Sequence, residues 1–206
     1  MDALHHVMAQ AEAMGMSAPA AVPVAPAPAV SAAALFEIRS TVAGRGLFAT
    51  QAIARGTPLF GEDDWADDTE RRSFSTLSAQ QLADLKPELR AAFLRFAYNI
   101  SPDRISGTFR PEMARHPVNF MNHSCGPNAG YDGADHIMAL QRISAGEEVQ
   151  MDYGTYSFSF DHDFKCTCGA SWCRGKVTQN DWPELVRTGL RLPGFMRAQA
   201  KRALWG

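Results

Sequence analysis

Four cysteines constrain this chain more than any other feature. They are Cys125, Cys166, Cys168 and Cys173, and the last three form a C-x-C-x4-C cluster. Two disulfides would need an oxidising compartment. The first 34 residues hold Asp2 and Glu12 but no Lys or Arg, so neither the basic start of a secretory signal nor an Arg-rich transit segment is present. The expectation is an intracellular, soluble chain with reduced thiols. Thiolates at this spacing can supply three of the four tetrahedral ligands of a zinc ion. The fourth must come from elsewhere, and among cysteines Cys125 remains. The alternative is four free, partly buried thiols. A four-thiolate site leaves no open position, so one such zinc would be structural.

The rest of the composition narrows the function classes. At 206 residues the chain suits one domain with appendages. Hydrophobic residues make up 46%, enough for a core. No apolar run reaches the roughly 18 residues of a membrane span. A net charge of −2 gives no basic footprint, so direct nucleic-acid binding is not expected. Oligomeric state leaves no mark in the sequence.

Along the chain, residues 1–34 form an Ala/Pro-rich arm: Met1 to Met16 could form a short, frayed helix, Pro19, Pro23, Pro26 and Pro28 forbid one over Ser17 to Ala34, and the whole arm reads as disordered. Phe36 to Arg39 alternates like a strand, and Val42 to Ala49 reads as a glycine-centred turn between strands. A turn and short strand follow over Ile53 to Phe60, then an acidic loop from Glu62 to Asp68. Ser78 with Gln81 predicts a capping box. Pro87 opens a second helix whose Leu89, Phe93, Phe96 and Ala97 predict one buried stripe. Strands are expected at His136–Leu140 and Glu148–Met151, joined by a turn at Ala145-Gly146. Asp181 and Glu184 predict another capping box. Arg187, Arg191, Arg197, Lys201 and Arg202 predict one face of a solvated helix.

Three further strings carry the chemistry. Asn122-His123-Ser124-Cys125 leads into Gly126-Pro127-Asn128-Ala129. Gly146 to Gly154 reads GEEVQMDYG, and Ala43 to Thr50 reads AGRGLFAT. Together with CTCGASWCRG, and following one another in the family's order over about Leu35 to Lys176 with AGRGLFAT first, they resemble the SET-domain lysine methyltransferases with a post-SET zinc motif. The resemblance implies a mainly β fold with a few helices: small curved sheets with a threaded C-terminal segment that brings NHSC to DYG. It implies an arm over 1–34, a SET domain over 35–160 with a helical insert at about 70–100, a post-SET zinc motif over 161–177, and a helical tail over 178–206.

It also implies S-adenosylmethionine as cofactor and a lysine of a protein or peptide as substrate. Gly44 and Gly46 would let the backbone approach the cofactor, with Arg45 and Leu47 beside them. Asn122 and His123 would clamp its amino-acid and adenine ends. Tyr153 matches the catalytic tyrosine, and Tyr131, Met151 and Tyr156 would wall the substrate channel. Cys125, Cys166, Cys168 and Cys173 would hold the zinc. Glu147 and Glu148 read as a solvated turn and strand start. Met151 stands where many histone-directed members carry Phe or Tyr, which leaves the number of methyl groups open. Leu59-Phe60-Gly61-Glu62 lacks the family's tyrosine, and no cysteine-rich cluster precedes Gly44. Such an enzyme would work on chromatin in a nucleated host and in the cytoplasm of a bacterium. A catalytically silent SET module acting by protein interaction is the rival reading, ahead of a zinc-ribbon nucleic-acid binder.

Overall fold

The computed structural model describes residues 35–61, 64–161 and 163–205, so the arm over 1–34 lies outside the described residues. Strands β1 (Phe36–Thr41) and β2 (Gly44–Ala49) form an antiparallel hairpin, paired from Phe36 opposite Ala49 to Thr41 opposite Gly44. The turn lies at Val42-Ala43, and both glycines sit in β2 rather than in the turn. Gly44 has φ +114°, a conformation that a side chain disfavours. Strand β3 spans Pro58–Phe60.

The insert is only partly helical. Helix α1 (Asp68–Ser73) is capped by Asp67, whose carboxylate accepts the N–H groups of Thr69 and Glu70. Strand β4 (Phe74–Leu77) follows. Helix α2 (Ala79–Ala83) carries the reciprocal Ser78–Gln81 capping box, and α3 (Pro87–Leu94) starts with its proline in the first turn. Strands β5 (Tyr98–Ser101) and β6 (Arg104–Thr108) complete an antiparallel sheet ordered β4-β6-β5. The predicted helical stripe is therefore corrected. Phe93 is fully buried, but Leu89 is 47% exposed. Phe96 and Ala97 lie beyond the helix, because the chain turns there into β5. Asn99 fixes that turn: its buried amide donates to the carbonyls of Ser101 and Arg104 and to Ser159 Oγ, and its oxygen accepts from Phe158 and Ser159.

Strand β7 (Asn122–His123) pairs in parallel with β10 (Gln150–Met151), which sets the NHSC string beside the DYG string. Strands β8 (Ala129–Tyr131) and β9 (Ile137–Ala139) join β3 in the order β3-β9-β8. The expected turn at Ala145-Gly146 is present. The two segments it joins do not pair with each other, since Glu147 and Val149 bond across to Ala49 and Leu47 of β2. These sheets enclose the main core of Leu47, Ala49, Ala129, Ala139, Ile143, Val149 and Met151.

Strands β11 (Phe164–Lys165) and β12 (Lys176–Val177) bracket the last three cysteines. Helices α4 (Trp182–Arg187) and α5 (Arg197–Trp205) end the described chain. The capping box expected at Asp181 does not form, because its carboxylate accepts from Thr178 and Arg174 instead. The basic run is not one helix face either. Arg191 and Arg197 lie on either side of a loop and donate to the carbonyls of Asp132 and Gly133.

Candidate functional site

The four cysteines meet at one point: their Sγ atoms all lie within 4.8 Å of one another. Cys125 and Cys166 sulfurs are 3.8 Å apart. A disulfide needs about 2.05 Å. A tetrahedral Zn–S distance of about 2.3 Å gives a sulfur–sulfur edge of about 3.8 Å. Backbone N–H groups also aim at the sulfurs, from Cys125 to Cys168, from Arg174 to Cys125 and from Gly175 to Cys173. Burial raises the Cys168 thiol, but the N–H groups of Cys125 and Ala170 outweigh it and bring it to about 6, whereas burial pushes the Cys125 thiol up and that of Cys166 up to about 12. Four sulfurs at this spacing, three of them receiving N–H groups, fit a metal-bound thiolate set. Trp172 covers the cluster and donates from its indole to the Cys125 carbonyl.

The cluster is fastened to the segment carrying Tyr153. Arg174 forms two parallel hydrogen bonds to Asp152, at 2.7 and 2.8 Å, and a third to Asp181 at 2.9 Å. The Asp152 side chain is fully buried and that of Arg174 is 23% exposed. A planar guanidinium meets a carboxylate in this two-pronged way with the strongest geometry available to an ion pair.

His123 sits between the cysteines and Tyr153. Its Nδ1 accepts the Tyr153 N–H at 3.2 Å, and its Nε2 is 3.4 Å from Cys125 Sγ. Burial holds the ring well below the usual histidine range, at about 4, although Asp152 pulls the other way, so it is neutral at pH 7. The ring is therefore engaged on both sides, and it does not line the cavity described below.

Tyr131, Met151, Tyr153 and Tyr156 do come together, around a cavity of about 590 Å³. Tyr98 lines it as well, so all four tyrosines of the chain share one space. Phe96, Phe195 and Pro193 add apolar wall, the last two from the tail. The Tyr153 hydroxyl donates to the Met121 carbonyl at 2.9 Å, and the Tyr153 and Tyr156 rings are 5.1 Å apart. Burial pushes Tyr153 up to about 12, and Tyr131 and Tyr156 well above the usual phenol range. These phenols are neutral at pH 7.

The expected cofactor residues fall outside that cavity. Asn122 donates to the Arg45 carbonyl and to Glu148 Oε1, at 3.1 and 2.7 Å. A Cβ on Gly46 would lie 2.4 Å from Glu148 Oε1, 2.8 Å from Thr41 Cγ2 and 3.1 Å from Asn122 Nδ2, so these side chains would have to shift for any larger residue. Around Gly44 nothing lies within 4 Å, and its positive φ is the reason for glycine. Leu47 is fully buried in the main core and is not among the residues that line the cavity. Arg45 is exposed and stacks over Phe120 at 4.2 Å.

Sequence reasoning passed over three residues here. Glu148 is half-buried against Asn122 rather than solvated, a contact between positions 26 apart that no local pattern announces. Arg174 stood in plain view after Cys173, yet its partners are two distant carboxylates. Tyr98 had a local signal, since Tyr98 to Thr108 reads as two short strands around Pro102-Asp103.

A model described as the SET domain matches residues 44–154, more than half of the chain. The chain is similar to histone-lysine N-methyltransferase 2B of Homo sapiens, 30% identical over 143 residues, covering 66% of this chain and 5% of that protein. It is also similar to histone-lysine N-methyltransferase trr of Drosophila melanogaster, 26% identical over 144 residues, with the same 66% and 5% coverage. A third relative, histone-lysine N-methyltransferase 2D of Homo sapiens, is 39% identical over 66 residues, 28% of this chain and 1% of that protein. The matched region thus spans about a twentieth or less of each of these relatives.

Proposed function

This chain belongs to the SET-domain family, and from that premise we propose that it is an S-adenosylmethionine-dependent protein-lysine methyltransferase with one structural zinc ion. We read 35–160 as the SET domain, 161–177 as the post-SET zinc motif and 178–206 as a helical tail. The observation that carries the reading is the aromatic cavity around Tyr153, next to Asn122 and His123.

A lysine amine must be neutral to attack. At pH 7 that costs about 4.6 kcal/mol from an unperturbed pKa of about 10.4. Walls of Tyr, Phe and Met desolvate the ammonium form and lower that cost. Neutral phenols can receive an amine N–H and hold the lone pair in line, while none can act as a phenolate base. Tyr153, fixed on the Met121 carbonyl, is the group we assign to orient the amine. When bound, S-adenosylmethionine supplies the electrophilic sulfonium methyl group. The Asn122 amide, the Glu148 carboxylate and the Arg45 carbonyl offer the polar partners that an amino-acid end takes up.

The test is a purified protein with labelled cofactor and a mixture of histones and lysate proteins. Label on lysine, reduced about a hundredfold by Tyr153→Phe, is the expected outcome. No label on any lysine sinks the enzyme reading. Calorimetry with no measurable binding of S-adenosylmethionine would turn the chain into a silent interaction module.

A further inference from the structure

His123 joins two parts of the molecule that the sequence kept apart. The Tyr153 N–H points at Nδ1 at 3.2 Å. An N–H can be accepted only by a ring nitrogen without a proton, so the proton of the neutral ring sits on Nε2. That Nε2 lies 3.4 Å from Cys125 Sγ, which can only accept when it is a thiolate bound to metal. The same sulfur takes the Arg174 N–H at 3.5 Å. The ring is 6% exposed and is held edge-on by Tyr153 and Phe164, each 5.4 Å away, so it has one orientation to offer.

We propose that His123 is a positioning residue: its Nε2–H donates to the zinc-bound Cys125 thiolate while its Nδ1 accepts the Tyr153 N–H. One imidazole thereby ties the metal cluster to the backbone of the tyrosine that orients the amine. Groups that hydrogen-bond metal ligands commonly change metal affinity ten- to a hundredfold when removed. This replaces the clamp role that the resemblance implied for the ring, and leaves only backbone atoms of His123 for the cofactor. The inference rests on the zinc reading and not on methyl transfer.

Two substitutions separate the two arms. His123→Asn keeps an acceptor near the Nδ1 position and loses the donor to sulfur. His123→Gln keeps a donor near the Nε2 position and loses the acceptor for Tyr153. In the full zinc-loaded chain, H123N is expected to release zinc to a chromophoric chelator about tenfold faster or more, with H123Q near the wild-type rate. Nitrogen-15 NMR of the wild-type imidazole is expected to show the proton on Nε2. A proton on Nδ1, or equal zinc release from all three proteins, overturns the strut. So does loss of S-adenosylmethionine affinity in both variants at unchanged zinc release, which would make the ring a cofactor clamp. Wild-type protein purified without zinc overturns the zinc reading and the strut with it. A chain that holds zinc but methylates nothing leaves both readouts intact, so the two failures are distinguishable.

Discussion

On one side of Tyr153 the described residues are tied together by hydrogen bonds, and on the other they leave about 590 Å³ open. The cysteine side is polar and fully specified: three backbone N–H groups on sulfurs, a two-pronged Arg174–Asp152 pair, and His123 bonded on both ring nitrogens. The tyrosine side is walled by aromatic rings from four separate segments, including the insert and the tail. The contrast teaches a division of labour. Directional bonds fix where the backbone of Asp152 and Tyr153 lies, and non-directional packing leaves room for a guest at the hydroxyl end. Each side can be broken separately.

Cys173→Ser should have the largest effect. Structural zinc contributes on the order of 10 kcal/mol in small zinc-dependent domains, but this fold has its own core, so part of the loss is local. We expect no zinc by elemental analysis, a melting temperature lower by roughly 10 °C or more, and weakened S-adenosylmethionine binding, because Cys125 lies next to Asn122 and His123. Normal cofactor affinity in zinc-free protein would show that the closed side does not support the binding side.

Arg174→Ala comes next. It strands the buried Asp152 carboxylate, and breaking such a pair costs about 3–5 kcal/mol. Chemical denaturation measures the loss. Arg174→Lys should recover only part of it, since an ammonium cannot make the parallel pair. A loss below about 1 kcal/mol for Arg174→Ala would mean that the network is ornamental, like a surface ion pair. Tyr153→Phe sharpens the contrast from the opposite direction. It removes one hydroxyl and its bond to Met121, so stability should fall by only about 1 kcal/mol, while methyl transfer falls about a hundredfold.

How much of this was legible differs between the two sides for a physical reason. Cys166, Cys168 and Cys173 lie within eight residues, and a spacing that short restricts geometry directly. The Ser78–Gln81 box is likewise a contact three residues long, and it formed as expected. Asp181 shows where local rules fail: it matches the same pattern, yet Arg174 and Thr178 offer its carboxylate stronger partners than a helix end does. The tyrosine cavity assembles residues from positions 61 to 195, and each wall depends on the strand pairing of others. Leu89 and Phe93 share a helical spacing, but Phe93 is buried against Gly107 of β6 while Leu89 is left 47% exposed, and which end of α3 meets the sheet is set by tertiary packing. At Gly46 the sequence marked the glycine but not what crowds it, since Glu148 had first to be brought beside it.

Gly107→Ala, expected to leave the zinc readouts unmoved, tests whether the two sides are independent. Gly107 lies in β6 beside the cavity-lining Ser106, and a Cβ there would come within 2.7 to 2.9 Å of three Phe93 ring atoms. Phe93 is fully buried, packed with Leu82, Ile105 and Phe160, so the ring cannot swing into solvent. Overpacking of this kind costs about 1–3 kcal/mol. None of the cysteines belongs to that cluster, and no directional bond on the cysteine side passes through Phe93. Zinc content and the rate of zinc release should therefore stay at wild-type values while the melting temperature drops. Faster zinc release in Gly107→Ala would show that packing around the cavity reaches the metal, and that Tyr153 does not isolate one side from the other.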